Sequence, residues 1–126
     1  MISNDVKFLG KYKIGQHVII ESGVTIEDGV EIGDFVIIRK DCIIKSGVVI
    51  SSFVEIQSGV TIGSNSTIGN HSVVKSNLSI GECCKIRELT HITHNTEEFT
   101  EWLGNPSVYI RHLKPIEIKE RPKSNK

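Results

Sequence analysis

The sequence predicts an all-β fold: a single parallel β-helix of six-residue repeats, about five coils long, with a short C-terminal capping segment. Three observations carry this. Every sixth residue from Ile14 to Ile92 is aliphatic, and thirteen of these fourteen positions are Ile, with Val74 the exception. Two residues before each sits a second, smaller apolar position, as in Val18, Val24, Val30, Val36, Val48, Val54 and Val60. Between these lie Gly, Asp, Asn and Ser, the residues of tight turns.

Each element follows from that spacing. An α-helix, at about 3.6 residues per turn, would scatter these Ile around its circumference. A short strand followed by a turn, repeated every six residues, keeps them all inward. Three sides close one triangular coil, so residues eighteen apart stack. Phe8 and Ile2 extend the register backward. Parallel strands stack at about 4.8 Å, so about five coils make a prism about 25 Å long. Its core is a column of Ile, and only the two ends expose strand edges. Residues 1–97 form this β-helix and 98–126 a cap and tail. In the cap, Phe99, Trp102 and Leu103 form an apolar cover over the last open coil, and Pro106 ends that segment. The tail beyond Pro115 is polar and basic and is expected to be poorly ordered.

Reading each column outward predicts three surfaces. One column is His17, Phe35, Phe53, His71 and Leu89; a second is Ile19, Ile37, Glu55, Val73 and His91. They flank the same corner and are too apolar for free exposure, which predicts an oligomer interface. A third column, Glu21, Arg39, Gln57 and Lys75, reads as a solvated face of paired charges.

Composition narrows the classes. Fifteen basic residues balance fifteen acidic ones, which gives no electrostatic case for nucleic acid. The basic residues collect late, among them Arg111, Lys114, Lys119, Arg121, Lys123 and Lys126. No apolar run approaches the ~20 residues of a membrane span. The first residues lack a charged segment followed by an apolar stretch, so a cytoplasmic location is expected. Of three cysteines, Cys42 and Cys84 fall at the buried Val position, and Cys83 is expected to point outward.

The six-residue pattern resembles the hexapeptide-repeat acyltransferase family over nearly the whole chain. The resemblance implies a left-handed coil, against the general preference for right-handed crossovers. It also implies a homotrimer of parallel prisms with active sites between neighbours. The segment Gly104, Asn105, Pro106, Ser107, with Ile110 and Arg111 after it, resembles the closing motif of the sugar acetyltransferase branch. Ser107 stands where that motif usually has Ala, and Trp102 precedes it. The function implied is acetyl-CoA-dependent acetylation of a hydroxyl or amino group on a sugar or nucleotide-linked sugar. The rival class is a non-catalytic β-helix that serves assembly or binding.

Acetyl transfer from a thioester needs a base for the acceptor and a donor for the oxyanion. Enzymes of the family use a His, and five are available: His17, His71, His91, His94 and His112. His71 is preferred because its column lies on the apolar corner, where burial between subunits favours a neutral imidazole. Asn70 and Asn77 are near enough in sequence to orient it. His94 is second, beside Glu97 and Glu98. The CoA phosphates are expected to meet Lys75, Lys85, Arg87 and Arg111 near the C-terminal coils, with Gly104, Asn105 and Pro106 part of the same site. The γ-class carbonic anhydrases share this fold and bind zinc through three His. His91 and His94 do not match that ligand pattern, so no metal is expected. Many relatives carry a long loop between hexads over the acceptor site, and none interrupts residues 2–92 here.

Overall fold

A computed structural model describes residues 1–114. The polar tail expected beyond Pro115, and Lys119, Arg121, Lys123 and Lys126 within it, lie outside the described residues. The strands in chain order are β1 (Lys7–Leu9), β2 (Tyr12–Ile14), β3 (Ile19–Ile20), β4 (Thr25–Glu27), β5 (Val30–Ile32), β6 (Ile37–Ile38), β7 (Ile43–Ile44), β8 (Val49–Ile50), β9 (Glu55–Ile56), β10 (Thr61–Ile62), β11 (Thr67–Ile68), β12 (Val73–Val74), β13 (Ser79–Ile80), β14 (Lys85–Ile86), β15 (His91–Ile92), β16 (Thr100–Leu103) and β17 (Val108–His112).

From β1 to β15 every third strand joins the same sheet, which is the sign of a three-sided coil. One face runs β1-β4-β7-β10-β13, the second β3-β6-β9-β12-β15, and the third β2-β5-β8-β11-β14-β16-β17. The register is the predicted stack of residues eighteen apart, as in Ile26 on Ile44 and Ile50 on Ile68. Ile2 bridges Ile20 in the same register, though at the open end its side chain is 41% exposed. All pairings are parallel except β16 with β17, which form an antiparallel hairpin. Among the described residues no helix is long and apolar enough to cross a membrane.

The core is the Ile column with the smaller column two residues before it. From Ile20 to Ile92 every Ile of the column is buried, as is Val74. Burying each contributes about 1.5–3 kcal/mol relative to exposure. Where the smaller position is polar, its side chain is satisfied by the next coil. Ser66 Oγ donates to the Gly81 carbonyl at 2.8 Å and Ser72 Oγ to that of Arg87 at 2.8 Å. Cys42 Sγ and Cys84 Sγ reach the Gln57 and Glu97 carbonyls at 3.0 and 2.9 Å. Burial pushes the Cys42 thiol up to about 11. Both residues therefore fill the predicted Val position.

Cys83 is not the outward residue expected. It occupies the left-handed turn position of its coil, with φ 56°, and is only 9% exposed. The next coil covers it: Lys85 stacks on Glu101, so Cys83 lies beneath Phe99. The apolar cap also differs in one member. Trp102 sits in register on Ile86 and packs against the core. Leu103, the next residue along the strand, faces the opposite way and is 37% exposed.

Candidate functional site

The residue three after each column Ile, from His17 to Leu89, has positive φ, which turns the chain through each corner of the prism. At two corners this residue is mostly Gly, Asn or Asp, which accept that conformation at low cost. At the third corner it is His17, Phe35, Phe53, His71 and Leu89, with φ between 56° and 62°. This is the predicted apolar corner, between the faces that carry β2 and β3.

Its side chains form a ladder. His17 stacks on Phe35 at 4.9 Å between ring centres, Phe35 on Phe53 at 5.1 Å and Phe53 on His71 at 4.9 Å. The last two pairs are within 6° of parallel. The spacing matches the separation of stacked strands, about 4.8 Å. Phe35 and Phe53 each stack a ring on both faces, while His17 and His71 end the ladder with one stacked ring each. Phe35, Phe53 and Leu89 are 49%, 51% and 66% exposed. A second ladder fixes the backbone. The Gln16, Asp34 and Ser52 amides donate to Asp34 Oδ1, Ser52 Oγ and Asn70 Oδ1 at 2.8, 3.0 and 2.9 Å.

His71 is therefore exposed on the single chain, stacked on Phe53. Neither expected asparagine is set to orient it. The Asn70 carbonyl oxygen is engaged by Ser52, and Asn77 turns a different corner, under the register of Gly59. The flanking column is in place: Ile19, Ile37, Glu55, Val73 and His91 stack in register. Arg39 reaches Glu55 at 3.2 Å as well as Glu21 at 2.9 Å, so the charged column borrows a partner from the apolar one.

His91 is the histidine that the spacing undervalued. Its amide donates to the Gly104 carbonyl at 3.0 Å, which brings the 104–107 turn over the flanking column. His91 Nε2 and Ser107 Oγ are both buried with no hydrogen-bond partner among the described residues. His94 lies apart, at the capped end. Its ring meets Trp102 edge-on at 4.8 Å, and its Nδ1 is 3.0 Å from the Asn95 carbonyl.

The basic candidates divide. Lys85, Arg87 and Arg111 line one surface groove of about 420 Å³ with Ser51, Thr67, Gly69, Glu88 and Glu101. Glu101 is 2% exposed although it sits on the outer side of its strand. Arg87 Nη1 donates to its Oε2 at 3.1 Å and Arg111 Nε to its Oε1 at 2.7 Å. Burial raises the Glu101 carboxyl, but the bonds from Arg111 and Arg87 outweigh it, and the group lies below its ordinary value. Lys75 stands on another face, beside β15, and Gly104, Asn105 and Pro106 form the tip of the β16–β17 hairpin. Ser51, Gly69 and Arg87 begin the turns that carry Phe53, His71 and Leu89, so the groove runs along the aromatic corner.

The fold and repeat define a hexapeptide-repeat β-helix. The family model for bacterial transferase hexapeptide (six repeats) matches residues 41–76. No curated protein matches the chain. Among solved structures it is similar to the acetyltransferase domain of PglB from Neisseria gonorrhoeae, at 21% identity over 87% of this chain and 57% of that one, TM-score 0.69. It is also similar to a mutant of AntD, an N-acyltransferase from Bacillus cereus, in complex with dTDP-4-amino-4,6-dideoxyglucose and coenzyme A. There the identity is 15% over 97% of this chain and 84% of that one, TM-score 0.80. A mutant perosamine N-acetyltransferase from Caulobacter crescentus, in complex with CoA and GDP-perosamine, aligns at 18% identity over 87% of this chain and 55% of that one, TM-score 0.58. The chain spans little more than half the length of the PglB domain and the perosamine enzyme.

Proposed function

We propose that this chain is an acetyl-CoA-dependent acyltransferase that acetylates a hydroxyl or amino group of a sugar or nucleotide-linked sugar, as a cytoplasmic homotrimer. The observation that carries the reading is the placement of the basic groove along the corner that carries His71. One corner thus offers an anion-binding surface for the donor and an imidazole for the acceptor. The amino-sugar nucleotides bound by two of the similar proteins favour an acceptor of that kind.

In this reading, copies of the prism pack along the aromatic corner, because the exposed Phe35, Phe53 and Leu89, flanked by the half-buried Ile19, Ile37 and Val73, need a cover. CoA lies in the groove between copies, with its phosphates at Lys85, Arg87 and Arg111. The acceptor enters from the same side. His71 removes the acceptor proton as its oxygen or nitrogen attacks the thioester carbonyl, and the thiolate of CoA leaves. A backbone N–H holds the oxyanion.

The experiment is turnover with acetyl-CoA and nucleotide-linked amino sugars in wild type, His71→Ala and His94→Ala, with CoA binding followed by calorimetry. His71→Ala should lower turnover by about 10²–10⁴-fold while CoA still binds. Loss only in His94→Ala moves the base to the capped end. Full activity in both variants excludes His71 and His94 as the base and leaves His91, whose Nε2 is buried without a partner among the described residues, to be tested by His91→Ala. A wild-type chain that binds no CoA supports the non-catalytic class.

A further inference from the structure

We propose that Glu101 is a positioning residue that holds Arg87 and Arg111 together as a fork for a phosphate group in the groove. This deepens the reading of that groove as the CoA site and rests on it. The starting point is an anomaly of burial. Glu101 belongs to the outward column of its face, stacked on Lys85 on one side and on Arg111 on the other. Outward positions of a parallel coil are ordinarily solvated, yet this carboxylate is almost wholly covered. Burying a carboxylate for stability alone is a poor exchange, because desolvation offsets most of the attraction.

The geometry divides the carboxylate between two arginines. Oε2 takes Arg87 and Oε1 takes Arg111, one oxygen each. The two arginines are far apart in sequence, Arg87 just after β14 and Arg111 within β17, and each alone would sample many rotamers. Glu101 fixes both stems over the same strand. A guanidinium has five N–H donors, more than Arg87 spends on Glu101 and on Glu88, whose Oε1 lies 3.7 Å from Arg87 Nε. Lys85 adds a third cation at the same rung, and Thr67, next in the column, adds a hydroxyl to the groove wall. With Lys85, Arg87 and Arg111 against Glu88 and Glu101, the groove keeps an excess of positive charge. Phosphate oxygens match paired guanidinium donors in both charge and spacing.

The proposal makes a prediction opposite in sign to plain electrostatics. Glu101→Gln removes a negative charge from an anion site, so if Glu101 only neutralised the arginines, CoA would bind more tightly. If it positions them, binding weakens. Calorimetry with CoA, and separately with inorganic pyrophosphate, on wild type, Glu101→Gln, Arg87→Ala and Arg111→Ala decides between the two. The expected result is a dissociation constant about tenfold higher in Glu101→Gln for both probes, with a further loss in the arginine variants. Equal or tighter binding in Glu101→Gln, with weaker binding in the arginine variants, overturns the positioning role and leaves the groove as the CoA site. Unchanged CoA binding in both arginine variants overturns the groove reading and the role of Glu101 with it. If Glu101→Gln does not fold, Glu101→Asp decides instead. Its shorter carboxylate keeps the charge but cannot span both arginines. Weaker binding in a folded Glu101→Asp supports the proposal, and unchanged binding overturns it.

Discussion

The aromatic corner and the two corners beside it solve the same backbone problem with different residues. All three turn through a left-handed residue in each coil. Two corners use Gly23, Asp41, Gly59 and Asn77, and Gly29, Gly47, Asn65 and Cys83. The third uses His17, Phe35, Phe53, His71 and Leu89. A bulky residue in that conformation costs roughly 1–2 kcal/mol. Each stacked ring pair returns only about 0.5–1.5 kcal/mol, and three pairs serve five strained residues. The amide ladder through Asp34, Ser52 and Asn70 holds the same turns within the chain, and in the proposed assembly burial against a second copy adds to it.

The largest effect should come from the part that all three corners share. Ile50 is buried in the common column, and Ile50→Asp would place an unpaired carboxylate there. That variant should fail to fold, as circular dichroism would show; a native spectrum would break the shared-core account.

The next test separates the corners. In the proposed trimer, Phe53→Glu should reduce the mass seen by light scattering to that of a monomer, while Asn65→Glu, at another corner of the same prism, should leave it unchanged; a wild type that is already a monomer removes the proposed interface. Equal responses would remove the distinction between the corners.

A smaller test concerns the turn itself. Gly47 has φ 72°, and an added Cβ would run into Asn65 Oδ1. Gly47→Ala should lower stability by about 1–2 kcal/mol in a denaturant titration. Phe53→Asn, which suits the same backbone conformation, should leave the stability of the monomer within about 1 kcal/mol of wild type, since lost stacking offsets relieved strain.

The smallest effects are those of pH and of thiol chemistry. The folded-state value of Glu101 lies below its ordinary 4.5. Its contribution is therefore present above about pH 4.5 and is lost as pH falls through the lower folded value. The melting temperatures of wild type and Glu101→Gln should differ at neutral pH and converge in acid. A constant difference down to pH 2 would exclude ionised Glu101 as the cause. Cys42, pushed up to about 11 by burial, should resist iodoacetamide in the native protein at pH 7.5, as mass spectrometry can check.

The fold was legible because its determinant is local and periodic. Ile at every sixth place admits one inward direction per strand, and the resulting column of Ile20 to Ile92 is buried as read. The aromatic ladder was legible for the same reason, since a fixed coil length converts sequence spacing into stacking. Cys83 was misread because burial at a corner depends on what the next coil lays over it, here Phe99, and the hexad register has given way by then. Asn77 was misassigned to His71 because six residues along this chain is one whole side of the prism. The basic candidates show both outcomes. Lys85 and Arg87 are adjacent in spacing and meet in the groove, while Lys75, nearer to them in sequence than Arg111, faces elsewhere.

Sequence alone thus determined the coil, its register, the core and the composition of each corner, because all of these follow from a period and the sidedness of a strand. Tertiary structure decided what happens where the period stops. The hairpin of β16 and β17 has no repeat to announce it, and only its folding back brings Arg111 to Glu101 and Glu101 to Arg87. The same return of the chain lays Gly104 on His91. Those contacts join residues with no common spacing, and their energies depend on burial that exists only once the coil is built.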